Sequence, residues 1–149
     1  MKIAIGSDHA GYDLKNIVAG HLKSRDIEFC DFGTYSSESC DYPDFGQKVA
    51  EEVASGNYDL GILICGTGIG ISISANKVPG IRAANCSDTF SARACREHNN
   101  ANILAMGARV VGAGLALDIV DQFLGGEFLG GKHARRVDKI SQIEKKYNK

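Results

Sequence analysis

The sequence predicts an α/β fold: a three-layer sandwich with a five-stranded, mostly parallel sheet, helices on both faces and a further helix at the C-terminal end. Three observations carry this. Short apolar runs alternate with stretches of helical periodicity along the chain. Polar or glycine-rich segments follow several of those runs, where the carboxyl ends of parallel strands place ligand sites. The 149 residues suit one domain, 1–149, with enough chain to bury a core without disulfide or metal staples.

The elements follow in order. Lys2–Ile5 reads as a strand. Tyr12–Lys23 then keeps Leu14, Ile17, Val18 and Leu22 at helical spacing. Ile27–Phe32 is a second strand, followed by the polar loop Tyr35–Pro43, which should lie at the carboxyl edge of the sheet, and by a helix over Asp44–Ala54. Leu60–Ile64 is a third strand, and its apolar run reads as buried. A short helix over Ile71–Asn76 follows a glycine turn. Arg82–Asn85 is a strand, and Ser87–His98 a helix with Ser87 or Asp88 as its cap. Ile103–Met106 is the fifth strand. Leu115, Ile119, Val120, Phe123 and Leu124 mark the next helix. The charged tail Lys132–Lys149 is helical, with a narrow seam of Val137, Ile140, Ile143 and Tyr147 that suits its own domain or a partner subunit equally.

Composition narrows the function. A net charge of −1, 7% aromatic residues and no tryptophan argue against nucleic-acid or membrane-surface partners. Five cysteines with no Cys-x-x-Cys argue against a disulfide framework or a zinc ribbon, and point to a reducing, cytoplasmic setting. The opening MKIAIGSDHAG reads as a strand and not as an apolar leader. No His, Cys and Asp cluster has metal-ligand spacing, so no metal and no cofactor are expected.

The segment GILICGTGIGISISANK, Gly61–Lys77, carries the chemistry. A strand ends at Cys65, and Gly66, Gly68 and Gly70 alternate with Thr67 and Ile69 before a helix begins. Such a turn aims backbone N–H groups at one point, which holds an anion. That setting favours the thiolate of Cys65 and makes it a base or a nucleophile. The phosphatase loop needs arginine after five intervening residues, six positions past the cysteine, and the chain has Ile71 there. The dinucleotide fingerprint needs glycine at the same place. Near the end, Gly126–Lys132 matches a phosphate-binding loop in spacing, but His133 replaces the Ser or Thr and the segment follows a helix, so a helix cap and loop is the better reading.

Other candidates are grouped at the carboxyl ends of the strands: Asp8 and His9 after the first strand, His98, Asn99 and Asn100 after the fourth helix, Gly107 and Arg109 after the fifth strand. Asp8 suits a proton shuttle, His9 an anion donor and His98 an acid or base near neutrality. Arg109, Lys132, Arg135 and Arg136 suit a phosphate clamp or a solvated face. The glycine turn and basic tail alone also fit a non-catalytic phosphosugar or nucleotide-binding module.

Taken together, GSDHAG, DYPDF, ICGTGIGISISANK, GIRAA, HNNANILAMGARVVG and GGKHARRV resemble the ribose-5-phosphate isomerase type B family, which includes galactose-6-phosphate isomerase subunits. The resemblance covers nearly the whole chain. It implies a Rossmann-like sandwich, a homodimer or tetramer of dimers with active sites shared between subunits, and metal-free aldose–ketose isomerisation of a phosphosugar. Ribose 5-phosphate is the expected substrate, with side activity on hexose 6-phosphates such as allose 6-phosphate. By position, Cys65 is implied as the base, His98 as the ring-opening acid, and Asp8 as the group handling hydroxyl protons. Thr67 and the amides of Gly66, Gly68, Ile69 and Gly70 are implied as the enediolate cradle. His9, Arg109, Lys132 and Arg136 are implied as the phosphate or substrate clamp, with Asn99 on sugar oxygens. Ile71 stands where other members carry a glutamate base, which puts this chain with the cysteine type. Lys132 stands where many members carry arginine; lysine keeps the charge and loses the planar fork. Selectivity for sugar length is expected from pocket depth near Tyr42 and the basic tail.

Overall fold

The computed structural model describes residues 1–148, and Lys149, the last residue of the predicted tail helix, lies outside them. The elements are β1 (Lys2–Ser7), α1 (Tyr12–Ser24), β2 (Glu28–Asp31), α2 (Tyr42–Ala54), β3 (Leu60–Cys65), α3 (Ile69–Ala75), β4 (Ala83–Asn85), α4 (Thr89–Asn99), β5 (Ile103–Gly107), α5 (Ala113–Gly125) and α6 (Lys132–Tyr147). Every predicted strand and helix is present. No helix among the described residues is long and apolar enough to cross a membrane.

Differences in the boundaries have local causes. Helix α2 begins at Tyr42, with Pro43 inside its first turn, because a missing N–H costs nothing there. Helix α3 begins at Ile69, two residues earlier than expected. Gly68, at φ 80°, turns the chain straight from β3 into the helix, a conformation open to glycine. Of the two candidate caps on α4, Asp88 is the one used; its carboxylate accepts the Ser91 N–H at 2.7 Å.

The sheet order is β2-β1-β3-β5-β4, and all four pairings are parallel. The chain leaves β1 toward β2 on one side, then α2 carries it back across to β3 on the other. That reversal opens a crevice between the carboxyl ends of β1 and β3.

Side chains alternate across the sheet with period two. In β3, Leu60, Ile62 and Ile64 join the core under α1, α4 and α5, while Leu63 and Cys65 join the core under α2 and α3. Strand β3 is buried throughout, as expected for a central parallel strand. Helix α6 packs on α4, outside both layers. Within the chain only Val137 of its apolar seam is buried; Ile140, Ile143 and Tyr147 are exposed.

Candidate active site

The crevice between β1 and β3 holds a cavity of about 470 Å³, a volume typical of small-molecule sites. Cys65, Gly66, Thr67, Ile69 and Gly70 line one side of it, Asp8 and His9 another, and Arg109 a third. These predicted residues are therefore brought together by one chain. The topology explains it: all three segments leave the carboxyl ends of β1, β3 and β5, which lie side by side.

Main-chain contacts shape the turn. The Cys65 Sγ accepts the Gly68 N–H at 3.1 Å, and Cys65 is only 4% exposed. The Thr67 Oγ1 accepts the Ile69 N–H at 3.2 Å, which leaves the Thr67 hydroxyl proton to donate elsewhere. Two of the expected cradle amides, Gly68 and Ile69, are thus already engaged. The N–H groups of Gly66, Thr67 and Gly70 have no acceptor among the described residues. The turn is clamped from behind, because Ala108 N–H donates to the Cys65 carbonyl at 2.9 Å and Arg109 N–H to the Gly66 carbonyl at 3.0 Å. The Arg109 guanidinium lies over Gly66, where a Cβ would sit 3.1 Å from Nη1. Gly107 lets the turn approach: a Cβ there would stand 2.6 Å from the Thr67 carbonyl carbon and oxygen.

Asp8 is 5% exposed, and one carboxylate oxygen accepts the Gly11 N–H at 3.1 Å, leaving the other for a ligand. The His9 Nδ1 accepts the Cys40 N–H at 3.2 Å. In the neutral ring this places the proton on Nε2, so the other edge is a hydrogen-bond donor. The donor is in the polar loop before α2, which the sequence placed at this edge of the sheet.

Four predicted residues lie elsewhere. His98 and Asn99 close α4, which starts beyond the carboxyl end of β4 and runs back along the sheet. Just after it, the Asn102 carbonyl accepts the Gly61 N–H at 2.9 Å, at the start of β3. Cys65 is at the far end of that strand, about 13 Å away at the usual strand rise. Grouping His98–Asn100 with strand carboxyl ends is therefore corrected: a helix that follows a parallel strand ends at the opposite edge. Lys132 and Arg136, on α6, belong to the same amino-edge region. His133 between them stacks on His98 with ring centroids 4.4 Å apart and planes at 11°. Burial, then the charges of His98, Lys132 and Arg136, hold the His133 pKa below its usual value.

Some contributors escaped the sequence reading. Ala10 and Ile73 line the cavity beside Tyr42, whose ring packs on Gly70 so closely that a Cβ there would be 2.6 Å from it. Ile69 and Ile73 are each 55% exposed at i,i+4 on α3; the sequence shows that spacing but not the exposure. Asn85 Nδ2 donates to the Thr67 carbonyl at 3.2 Å. Nothing in the local sequence marks that contact, which depends on the β4–β5 pairing. No group of three or more His, Cys, Asp or Glu side chains among the described residues is arranged to hold a metal ion.

Known proteins share this fold and much of this sequence. The profile of the Ribose/Galactose Isomerase family matches residues 3–140. The chain is 53% identical over 147 residues to ribose-5-phosphate isomerase B of Escherichia coli, covering 99% of each chain. It is similar to the solved ribose-5-phosphate isomerase B of Clostridium thermocellum at 66% identity and TM-score 0.98, covering 99% of this chain and 100% of that one. It is also similar to the Mycoplasma genitalium ribose-5-phosphate isomerase B solved with bound ribulose 5-phosphate, at 45% identity and TM-score 0.93, covering 97% and 96%. With a profile that spans nearly the whole chain and relatives matched end to end, this chain belongs to the ribose/galactose isomerase family.

Proposed function

We propose that this chain is a single-domain enzyme that interconverts ribose 5-phosphate and ribulose 5-phosphate through an enediolate, without metal or cofactor. The observation that carries this reading is the Cys65 thiol at the switch-point cavity, with the Gly68 N–H on its sulfur and Asp8, His9 and Arg109 around it. Its relatives bear the name of that activity, and one of them holds ribulose 5-phosphate.

The chemistry follows from the geometry. As a thiolate, Cys65 takes the proton from C2 of the open-chain aldose and returns it to C1. Negative charge then develops on the C1 and C2 oxygens. The N–H groups of Gly66, Thr67 and Gly70 and the Thr67 hydroxyl are available to hold it. Donors preset on a turn cost no reorganisation when the charge appears. The free oxygen of Asp8 passes the hydroxyl proton between the two oxygens. Arg109 and the Nε2–H of His9 bind anionic or hydroxyl oxygens of the substrate.

A second copy of the chain completes the site. Its amino-edge residues close the cavity of the first: His98 opens the furanose, Asn99 holds sugar oxygens, and Lys132 and Arg136 take the phosphate. Ile69 and Ile73 at the cavity mouth, with Ile140 and Ile143 on α6, leave apolar surface for such a homodimer or tetramer to cover. The five free thiols fit a reducing, cytoplasmic compartment.

Cys65→Ala tests the reading. Turnover of ribose 5-phosphate should fall about 10²–10⁴-fold, while ribulose 5-phosphate still raises the melting temperature. Wild-type turnover would remove Cys65 as the base. Binding by the wild-type protein without solvent-deuterium incorporation into substrate would leave a sugar-phosphate binding module instead. Side activity on hexose 6-phosphates, allose 6-phosphate in particular, is tested by comparing kcat/KM across pentose and hexose phosphates.

A further inference from the structure

We propose that His133 is a positioning residue, which by stacking on His98 fixes that imidazole relative to the cations Lys132 and Arg136. This rests on the reading of His98 as the ring-opening group.

The need for such a residue is physical. His98 is exposed and sits in the last turn of α4, where its ring is free to rotate. An acid acting on a ring oxygen must be held within reach and in line. No hydrogen bond orients either imidazole among the described residues. The stack, 4.4 Å between centroids and 11° between planes, is the contact that sets the His98 ring plane.

The chain is built to present His133 there. Gly130 and Gly131 have φ of 68° and 58°, so the loop turns sharply into α6. The Leu129 N–H donates to the Glu97 carbonyl at 3.0 Å, which ties that loop to the turn of α4 that carries His98. The His133 N–H donates to the Gly130 carbonyl at 3.0 Å. On α6, His133 and Val137 stand four residues apart and share one face, with Val137 buried. Lys132 and Arg136 stand four apart on the neighbouring face. One helix therefore carries both the stacking ring and the two phosphate cations, and its docking on α4 sets the span from ring-opening acid to phosphate. Burial and the neighbouring charges lower the His133 pKa, so near neutral pH it stacks as a neutral ring.

The test compares His133→Ala with His133→Phe in two assays. One is kcat/KM for ribose 5-phosphate, which needs ring opening. The other is solvent-deuterium exchange at C1 of ribulose 5-phosphate, which is acyclic and reports proton transfer alone. His133→Ala should lose about 10-fold or more in the first assay and stay within about 3-fold of wild type in the second, given the cost of small misplacements. His133→Phe, which keeps a ring but no titratable nitrogen, should recover ribose 5-phosphate turnover. Wild-type behaviour of His133→Ala overturns the proposal. So does a His133→Phe enzyme as defective as His133→Ala, because the nitrogens and not the stack would then matter. A parallel fall in both assays also overturns it. If His133→Ala does not fold, His133→Leu takes its place with the same outcomes. A His98→Asn enzyme with wild-type turnover would instead remove the reading of His98, so the two failures are told apart.

Discussion

The two edges of the sheet solve different problems with different materials. At the carboxyl edge, Cys65 and Asp8 are almost fully buried and are held by backbone N–H groups on turns that leave parallel strands. At the amino edge, His98, Asn99, Lys132 and Arg136 are exposed side chains on helix ends, kept in place by helix docking and one ring stack. The first edge suits a proton transfer, which tolerates little displacement. At the second, Lys132 and Arg136 suit a substrate grip, where charge counts for more than position, and only His98 calls for the fixed geometry that its stack supplies. A substitution at the first edge should therefore stop the chemistry, and one at the second should weaken capture or ring opening.

The sharpest break in that contrast is Gly107→Ala. It touches no substrate and removes no reacting group, yet its Cβ would stand 2.6 Å from the Thr67 carbonyl, so the whole Cys65–Gly70 turn must shift. We expect kcat for ribose 5-phosphate to fall about 100-fold, the scale of an ångström of misplacement, with the far-ultraviolet circular dichroism unchanged. An active Gly107→Ala enzyme would mean the turn is pliable and the carboxyl edge is not preorganised.

The separation of the edges can be tested by mixing. Cys65→Ala and His98→Asn are each expected to be poorly active alone. If one copy supplies Cys65 and another His98, a co-refolded mixture regains intact sites in its mixed dimers. With random pairing about a quarter of all sites recover, because half the dimers are mixed and each has one intact site of two. Activity of the mixture equal to the average of the two variants would place both residues in one chain's site.

The same contrast explains what the sequence disclosed. The fold was legible because buried parallel strands read as apolar runs and the covering helices keep their period. The Cys65 turn was legible because its glycines answer local demands: φ 80° at Gly68 and the close approach at Gly70. His98 was misplaced because adjacency in sequence to a strand says nothing about which edge a connecting helix ends on; that depends on chain direction. Asn85 went unread because its contact with the turn arises from packing between distant segments, and Ile73 because its helical spacing from Ile69 does not reveal that both face outward. His133 went unread as a contact because stacking needs α4 and α6 docked first.

At the amino edge, Lys132→Ala and Arg136→Ala should raise KM about 10-fold or more each, the scale of one charge-assisted hydrogen bond, with kcat changed much less. Lys132→Arg should lower KM if the phosphate is reached by a planar fork, since two parallel N–H groups then replace one ammonium. A change in kcat alone would move these residues from grip to chemistry.

The pH response also belongs to the amino edge. In the folded protein the His133 pKa lies below its ordinary 6.5, by burial first and then by His98, Lys132 and Arg136. Protons therefore bind more readily to the unfolded chain. The contribution of the neutral ring is fully present above pH 6.5 and is lost as pH falls toward the folded value. Melting temperature should decline over that interval in the wild type, and this part of the decline should be missing in His133→Phe. Identical pH profiles for the two proteins would detach His133 from the effect.

The smallest effect expected is at Cys40, and its smallness is the point. Its sulfur lies 3.9 Å from His9 Nδ1, close enough to invite a functional reading. The contact that fixes the His9 tautomer, however, is the Cys40 backbone N–H at 3.2 Å. Cys40→Ala keeps that donor, and ribose 5-phosphate turnover should stay within about 2-fold of wild type, as for a side chain outside the working contacts. Cys40→Pro removes the donor and leaves Nδ1 free to take the proton, so that Nε2 can present a lone pair to the substrate in place of a hydrogen. Its KM for ribose 5-phosphate should rise well above that of Cys40→Ala. If instead the alanine variant fails and the proline variant does no worse, the thiol itself supports His9, and the carboxyl edge depends on side chains more than its backbone geometry implies.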